Sequence, residues 1–98
     1  MVTYRISELA QIDLEDIWLY TFKNWSKDQA DRYYGLLLSE CEYLSNHFEH
    51  GKIMDHVLKG YRCSADKSHL IFYKLGADGL VEIIRILHQM TNIKSHLL

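Results

Sequence analysis

HLIFYKLGADGLVEIIRILH, residues 69–88, is the stretch on which the fold turns. His69–Leu75 is dense in β-branched and aromatic residues, and Gly76-Ala77-Asp78-Gly79 is a hairpin loop by composition. Leu80–His88 then reads as a second strand running back along the first. Ile83, Ile84, Ile86 and Leu87 leave neither of its faces polar, which predicts a central strand covered on both sides. A guanidinium, Arg85, sits in the middle of this apolar run.

Working outward, Leu58–Ser64 has strand character, with Gly60 permitting a bulge or a close backbone approach, so the second half predicts a three-stranded antiparallel meander. Upstream of Gly51 the period changes. Ala30, Tyr34, Leu37, Cys41, Leu44 and Phe48 recur every three or four residues, an apolar stripe that predicts a helix ending near residue 47. Ser26 and Gln29 have the spacing of a capping box at its start. Ala10, Leu14, Ile17, Trp18 and Thr21 predict an earlier helix over about residues 8–23, capped by Ser7, and Val2, Tyr4 and Ile6 alternate as a strand does. The short Asn24-Trp25-Ser26 break makes the two helices an antiparallel hairpin. The class is α+β: a first strand, a helical hairpin packed on the sheet, three further strands in the same sheet and a short C-terminal tail.

With 98 residues and no proline, a single domain over residues 1–98 is expected. Cys41 and Cys63 make no disulfide framework, and Arg5, Glu8, Asp13 and Glu15 interrupt any secretory apolar run, so a cytoplasmic protein with no membrane association is expected. Residues 1–50 carry 4 Lys/Arg against 9 Asp/Glu, and residues 51–98 carry 7 against 4. This asymmetry suggests two working surfaces of opposite sign, helices and sheet facing opposite ways.

Five blocks in register carry a family resemblance: Ser7…Ala10…Asp13-Leu14…Ile17-Trp18…Tyr20-Thr21; Trp25-Ser26-Lys27-Asp28-Gln29-Ala30…Tyr33; Gly51, Asp55 and Gly60-Tyr61-Arg62; His69-Leu70-Ile71-Phe72-Tyr73; and Ile83-Ile84-Arg85-Ile86-Leu87-His88, with His96-Leu97 beyond. Together they resemble the ParE toxins of the RelE/ParE toxin–antitoxin superfamily, and the resemblance spans nearly the whole chain. It implies the RelE/ParE-like fold and a growth-inhibiting toxin that binds DNA gyrase, blocks replication and is neutralised by a ParD-like antitoxin. That antitoxin alone would contact operator DNA. Two alternatives stay open: a RelE-type ribosome-dependent mRNA endonuclease, and a decayed toxin that only binds antitoxin. The chain departs from the family at Phe48, where proline is usual, and at Met90-Thr91-Asn92, where an Arg-Met-Asp run is favoured.

Arg62, His69, Tyr73, Arg85, His88, Lys94, His96 and Leu97 are the candidate partner- or target-binding residues. Burying the Arg85 charge unpaired is costly, so it needs a carboxylate (Glu82 or an acidic helix residue), a carbonyl, the open face of the sheet or a bound partner. Period-two alternation puts Arg85 and His88 on opposite faces unless a bulge intervenes, which argues against their acting as a pair. RNA cleavage without metal needs a base, an acid and cations on the phosphate, roles that Arg62, Arg85 and His88 would have to fill. His47, Glu49, His50 and His56 match no zinc spacing, so no metal and no cofactor is expected. Trp18, Trp25, Tyr33 and Tyr34 have the spacing of hairpin-packing residues, and buried Cys41 is expected to be inert.

Overall fold

In a computed structural model, residues 4–90 and 96–97 are described. The chain begins with strand β1 (Tyr4–Ile6), followed by helices α1 (Glu8–Asn24) and α2 (Lys27–Asn46). A single 3-10 turn (Phe48–His50) leads to strands β2 (Lys52–Ile53), β3 (Arg62–Asp66), β4 (His69–Leu75) and β5 (Val81–His88). The expected α+β class holds, with five strands in place of four, in the order β1-β5-β4-β3-β2.

Both helix starts follow from side-chain capping. Ser7 Oγ accepts the Ala10 amide at 3.0 Å and Ser26 Oγ accepts the Gln29 amide at 3.1 Å, each satisfying a donor that the first helical turn leaves open. The predicted stripe of α2 is the buried one: Ala30, Leu37, Cys41 and Leu44 have no exposure. With Ala10 and Leu14 of α1 they pack against Ile71 and Tyr73 of β4 and Val81, Ile83 and Ile86 of β5.

β5 lies between parallel β1 and antiparallel β4, so the expectation of an interior strand is met. Its phase changes midway. Tyr73 pairs with Ile83, but Phe72 pairs with Arg85, so Ile84 is the extra residue of a bulge. That extra residue is why Ile83 and Ile86, three apart, both reach the core.

Two boundaries differ from the sequence expectation. β3 starts at Arg62, because residues 58–61 form a turn in which Gly60 adopts φ +85°, a left-handed conformation that favours glycine, and its amide donates to Asp55. β2 is two residues long and exposed, with no periodicity to reveal it. Trp25 also departs from expectation: it is 73% exposed at the rim of a cavity by the hairpin tip, whereas Trp18 stacks on Phe22 and donates its indole N–H to Asp31.

Candidate functional site

A cavity of about 830 Å³ opens where the tip of the helical hairpin passes the end of the sheet. Asp13, Asp16 and Tyr20 line it from α1, Arg32, Tyr33 and Leu36 from α2, Lys67, Ser68 and His69 from the β3–β4 turn, and Arg85 to His88 from β5, with His96 beside them. Four of the eight residues singled out from the sequence, His69, Arg85, His88 and His96, thus share one cavity.

His69 and His88 are directly opposed across β4 and β5, their rings edge to face at 5.5 Å. The Tyr33 hydroxyl meets His69 Nδ1 at 2.6 Å, tying α2 to the strand end. Burial, and then the neighbouring His88, hold the His69 pKa below the usual imidazole value. His88 Nδ1 accepts the Met90 amide at 3.1 Å.

Arg85 pairs with an acidic helix residue, as one of the sequence alternatives required. Its Nε and Nη2 donate to the two carboxylate oxygens of Asp13 at 2.8 and 2.9 Å, and its Nη1 donates to the His96 carbonyl at 3.2 Å. The Asp13 pair raises the already high Arg85 pKa further. Glu82, the other sequence candidate, lies near Arg5 instead. No bulge falls between Arg85 and His88, yet both border the same cavity. The unbroken register keeps the alternation between them, and they border one cavity because the Arg85 side chain turns to Asp13 of α1 past the end of β1.

Arg62 and Tyr73 stand elsewhere. Arg62 Nη1 donates to the Gly51 and Glu49 carbonyls at 2.8 and 3.3 Å, and its guanidinium lies over the Phe48 ring. Tyr73 is fully buried; its hydroxyl accepts the Gly51 amide at 2.8 Å and donates to the Phe48 carbonyl at 2.7 Å. Both side chains anchor the chain between α2 and β2, and Tyr73 offers a partner no surface, which corrects its place among the binding candidates. Leu97 is half-buried, and Lys94 lies outside the described residues.

Cys41 and Cys63 are free, with thiols pushed up by burial to about 12 and about 11, so neither forms a thiolate near neutral pH. Among the described residues no three His, Cys, Asp or Glu side chains are placed to share a metal ion, and His47 and His50 are instead packed around Tyr43. No helix among them is long and apolar enough to cross a membrane. Sequence reading missed Asp13 as a site residue, because a partner 72 positions from Arg85 leaves no local signal.

The family model described as ParE toxin of type II toxin-antitoxin system, parDE, matches residues 4–93. Toxin ParE1 of Caulobacter vibrioides is 40% identical over 97 residues, covering 99% of each chain. Toxin ParE1 of Mycobacterium tuberculosis is 32% identical over 94 residues, covering 96% of each. A solved structure of the chromosomal ParDE TA system from P. aeruginosa superposes with a TM-score of 0.77 over 90% of this chain and 96% of that one, at 14% identity, which speaks to the fold alone. With a relative at 40% identity over its full length and the family model spanning β1 through β5, the chain belongs to the ParE toxin family of type II toxin–antitoxin systems.

Proposed function

We propose that this chain inhibits growth by binding DNA gyrase and blocking replication, and that a cognate ParD-like antitoxin holds it silent in the cytoplasm. Operator DNA would be reached through the antitoxin. The observation that favours binding over RNA cleavage is the engagement of its arginines. Arg85 is held bidentately by Asp13, and Arg62 is tied to two carbonyls and an aromatic ring. Both cations that an endonuclease of this chain would need on the scissile phosphate are thus directed into its own fold.

Several large apolar side chains stay exposed on the hairpin: Leu9, Ile12, Leu19 and Phe22 on α1, and Leu36 and Tyr43 on α2. A disordered antitoxin segment that folds on binding needs such anchors. These anchors support an antitoxin that docks across the hairpin and against the end of the sheet where Lys67, His69 and His88 lie.

Induced expression in a gyrase-bearing bacterium, with DNA and protein synthesis followed separately, tests this reading. DNA synthesis should stop first, with DNA damage. Ribosome-bound mRNA cut by the purified protein, with loss of cutting in Arg62→Ala or His88→Ala, would reverse the assignment in favour of the endonuclease.

A further inference from the structure

β1 ends at Ile6, opposite Ile83, so among the described residues the rest of β5 has no strand beside it on that edge. Side chains and backbone at the start of α1 take over the ladder. The Ser7 amide donates to the Ile83 carbonyl at 2.9 Å, the Ser7 hydroxyl to the Ile84 carbonyl at 2.7 Å, and the Ile86 amide to Asp13 Oδ2 at 2.9 Å. Asp13 therefore receives three N–H groups, one from the strand backbone and two from Arg85. The two side chains are largely shielded, at 11% and 14% exposure.

A guanidinium is a rigid planar fork, so fixing Nε and Nη2 on one carboxylate fixes the direction of Nη1 as well. Here Nη1 meets the His96 carbonyl at 3.2 Å. The bulge at Ile84 sets the phase of the strand so that Ile86 enters the core while its neighbour Arg85 reaches α1.

We propose that Asp13 is a positioning residue for the described end of the chain at His96 and Leu97: its carboxylate orients Arg85, which in turn holds the His96 carbonyl. A lone ammonium at position 85 would keep the charge but lose the fork, and a neutral amide at position 13 would keep the shape but lose the charge-assisted pair. The proposal rests on the reading proposed above, that this chain inhibits growth by binding a target, and takes His96 and Leu97, named among the candidate target-binding residues, as part of that contact.

The test uses the full-length protein with Asp13→Asn and Arg85→Lys, and Ser7→Ala as the comparison. Ser7 belongs to the same seam between α1 and β5 but does not touch Arg85 or His96, so its loss reports the cost of weakening the seam alone. Amide hydrogen exchange at residues 96–98 is read well below each variant's unfolding midpoint, beside growth inhibition. Asp13→Asn and Arg85→Lys should speed that exchange about tenfold and reduce growth inhibition, whereas Ser7→Ala should lower the unfolding midpoint and leave the exchange at 96–98 unchanged. Exchange in Asp13→Asn no faster than in Ser7→Ala would overturn the proposal and leave Asp13 a structural residue. Deleting residues 93–98 separates the two layers: a deletion that stays toxic refutes the reading beneath the proposal, while the exchange result still decides whether Asp13 holds the segment.

Discussion

At the scale of single residues, the side chains that matter most are those with more than one obligation. Tyr73 is fully buried and its hydroxyl both accepts from Gly51 and donates to Phe48, so Tyr73→Phe leaves a buried N–H and a carbonyl unmet. That change should cost about 1–3 kcal/mol in denaturant unfolding without altering antitoxin affinity. Gly51→Ala should do at least as much harm, because a Cβ there collides with the Tyr73 ring. His69 has its own pH signature. Facing it are Tyr33 from α2, Asp13 from α1, Asp66 and Lys67 from the turn, and Arg85 and His88 from β5. Burial and His88 outweigh the two carboxylates, so the folded pKa lies below the unfolded value. Above the unfolded value His69 is neutral in both states and contributes no pH dependence. As pH falls through that value the unfolded chain takes up the proton first, and stability declines until the folded pKa is passed. Unfolding curves at pH 7.5 and pH 5.5 should therefore differ more for the parent than for His69→Asn; equal differences would show that other groups carry the acid sensitivity.

At the scale of elements, the connection from β1 to α1 rests on Ser7, whose hydroxyl caps the helix and donates to β5. Ser7→Ala should lower stability by about 1–2 kcal/mol, more than Ser26→Ala, whose hydroxyl caps its helix and should cost about 1 kcal/mol. Both caps were legible in the sequence because capping is local, fixed by a side chain and an amide three residues on. The stripe of α2 was legible for the same reason: every turn repeats the same demand. The bulge at Ile84 and the two-residue β2 were not, since each exists only through pairing with a strand distant in sequence. The site divides along the same line. His69 and His88 announced themselves as residue types within strongly patterned strands. Asp13 is one acid among several on α1, and only the folded chain shows that it meets Arg85. Tyr73 looked like a candidate because its block carries the family pattern, but the alternation that puts Ile71 in the core puts Tyr73 there too.

At the scale of the whole molecule, the charge asymmetry is less simply arranged than the sequence suggests. Glu8, Asp13, Glu15, Asp16, Asp28, Asp31, Glu40 and Glu42 all fall on the helices, and Lys52, Arg62, Lys74 and Arg85 on the strands. The two sets meet at the cavity rather than facing away from each other, with Asp13 and Asp16 on one wall and Lys67 and Arg85 on another. Of the exposed apolar residues of α1, Tyr20 borders that meeting point, whereas Leu9, Ile12, Leu19 and Phe22 do not. Ile12, Leu19 and Phe22 recur at helical spacing on one side of the helix, and Leu19 borders a shallow second cavity of about 510 Å³ with Glu15, Trp18, Asp31 and Tyr34. Antitoxin binding and target poisoning should therefore be separable by mutation. Leu19→Asp places a charge where a folding antitoxin segment would bury apolar surface, and because Leu19 is 46% exposed the change should shift the unfolding midpoint little. Loss of a central apolar anchor costs about 1–2 kcal/mol or more, so antitoxin affinity should fall at least about fivefold. In cells carrying both partners, Leu19→Asp should then free the toxin and slow growth, whereas deletion of residues 93–98 should lower antitoxin affinity far less than Leu19→Asp does and abolish growth inhibition. A Leu19→Asp protein that binds antitoxin as tightly as the parent would move the docking surface off the hairpin and toward the basic end of the sheet.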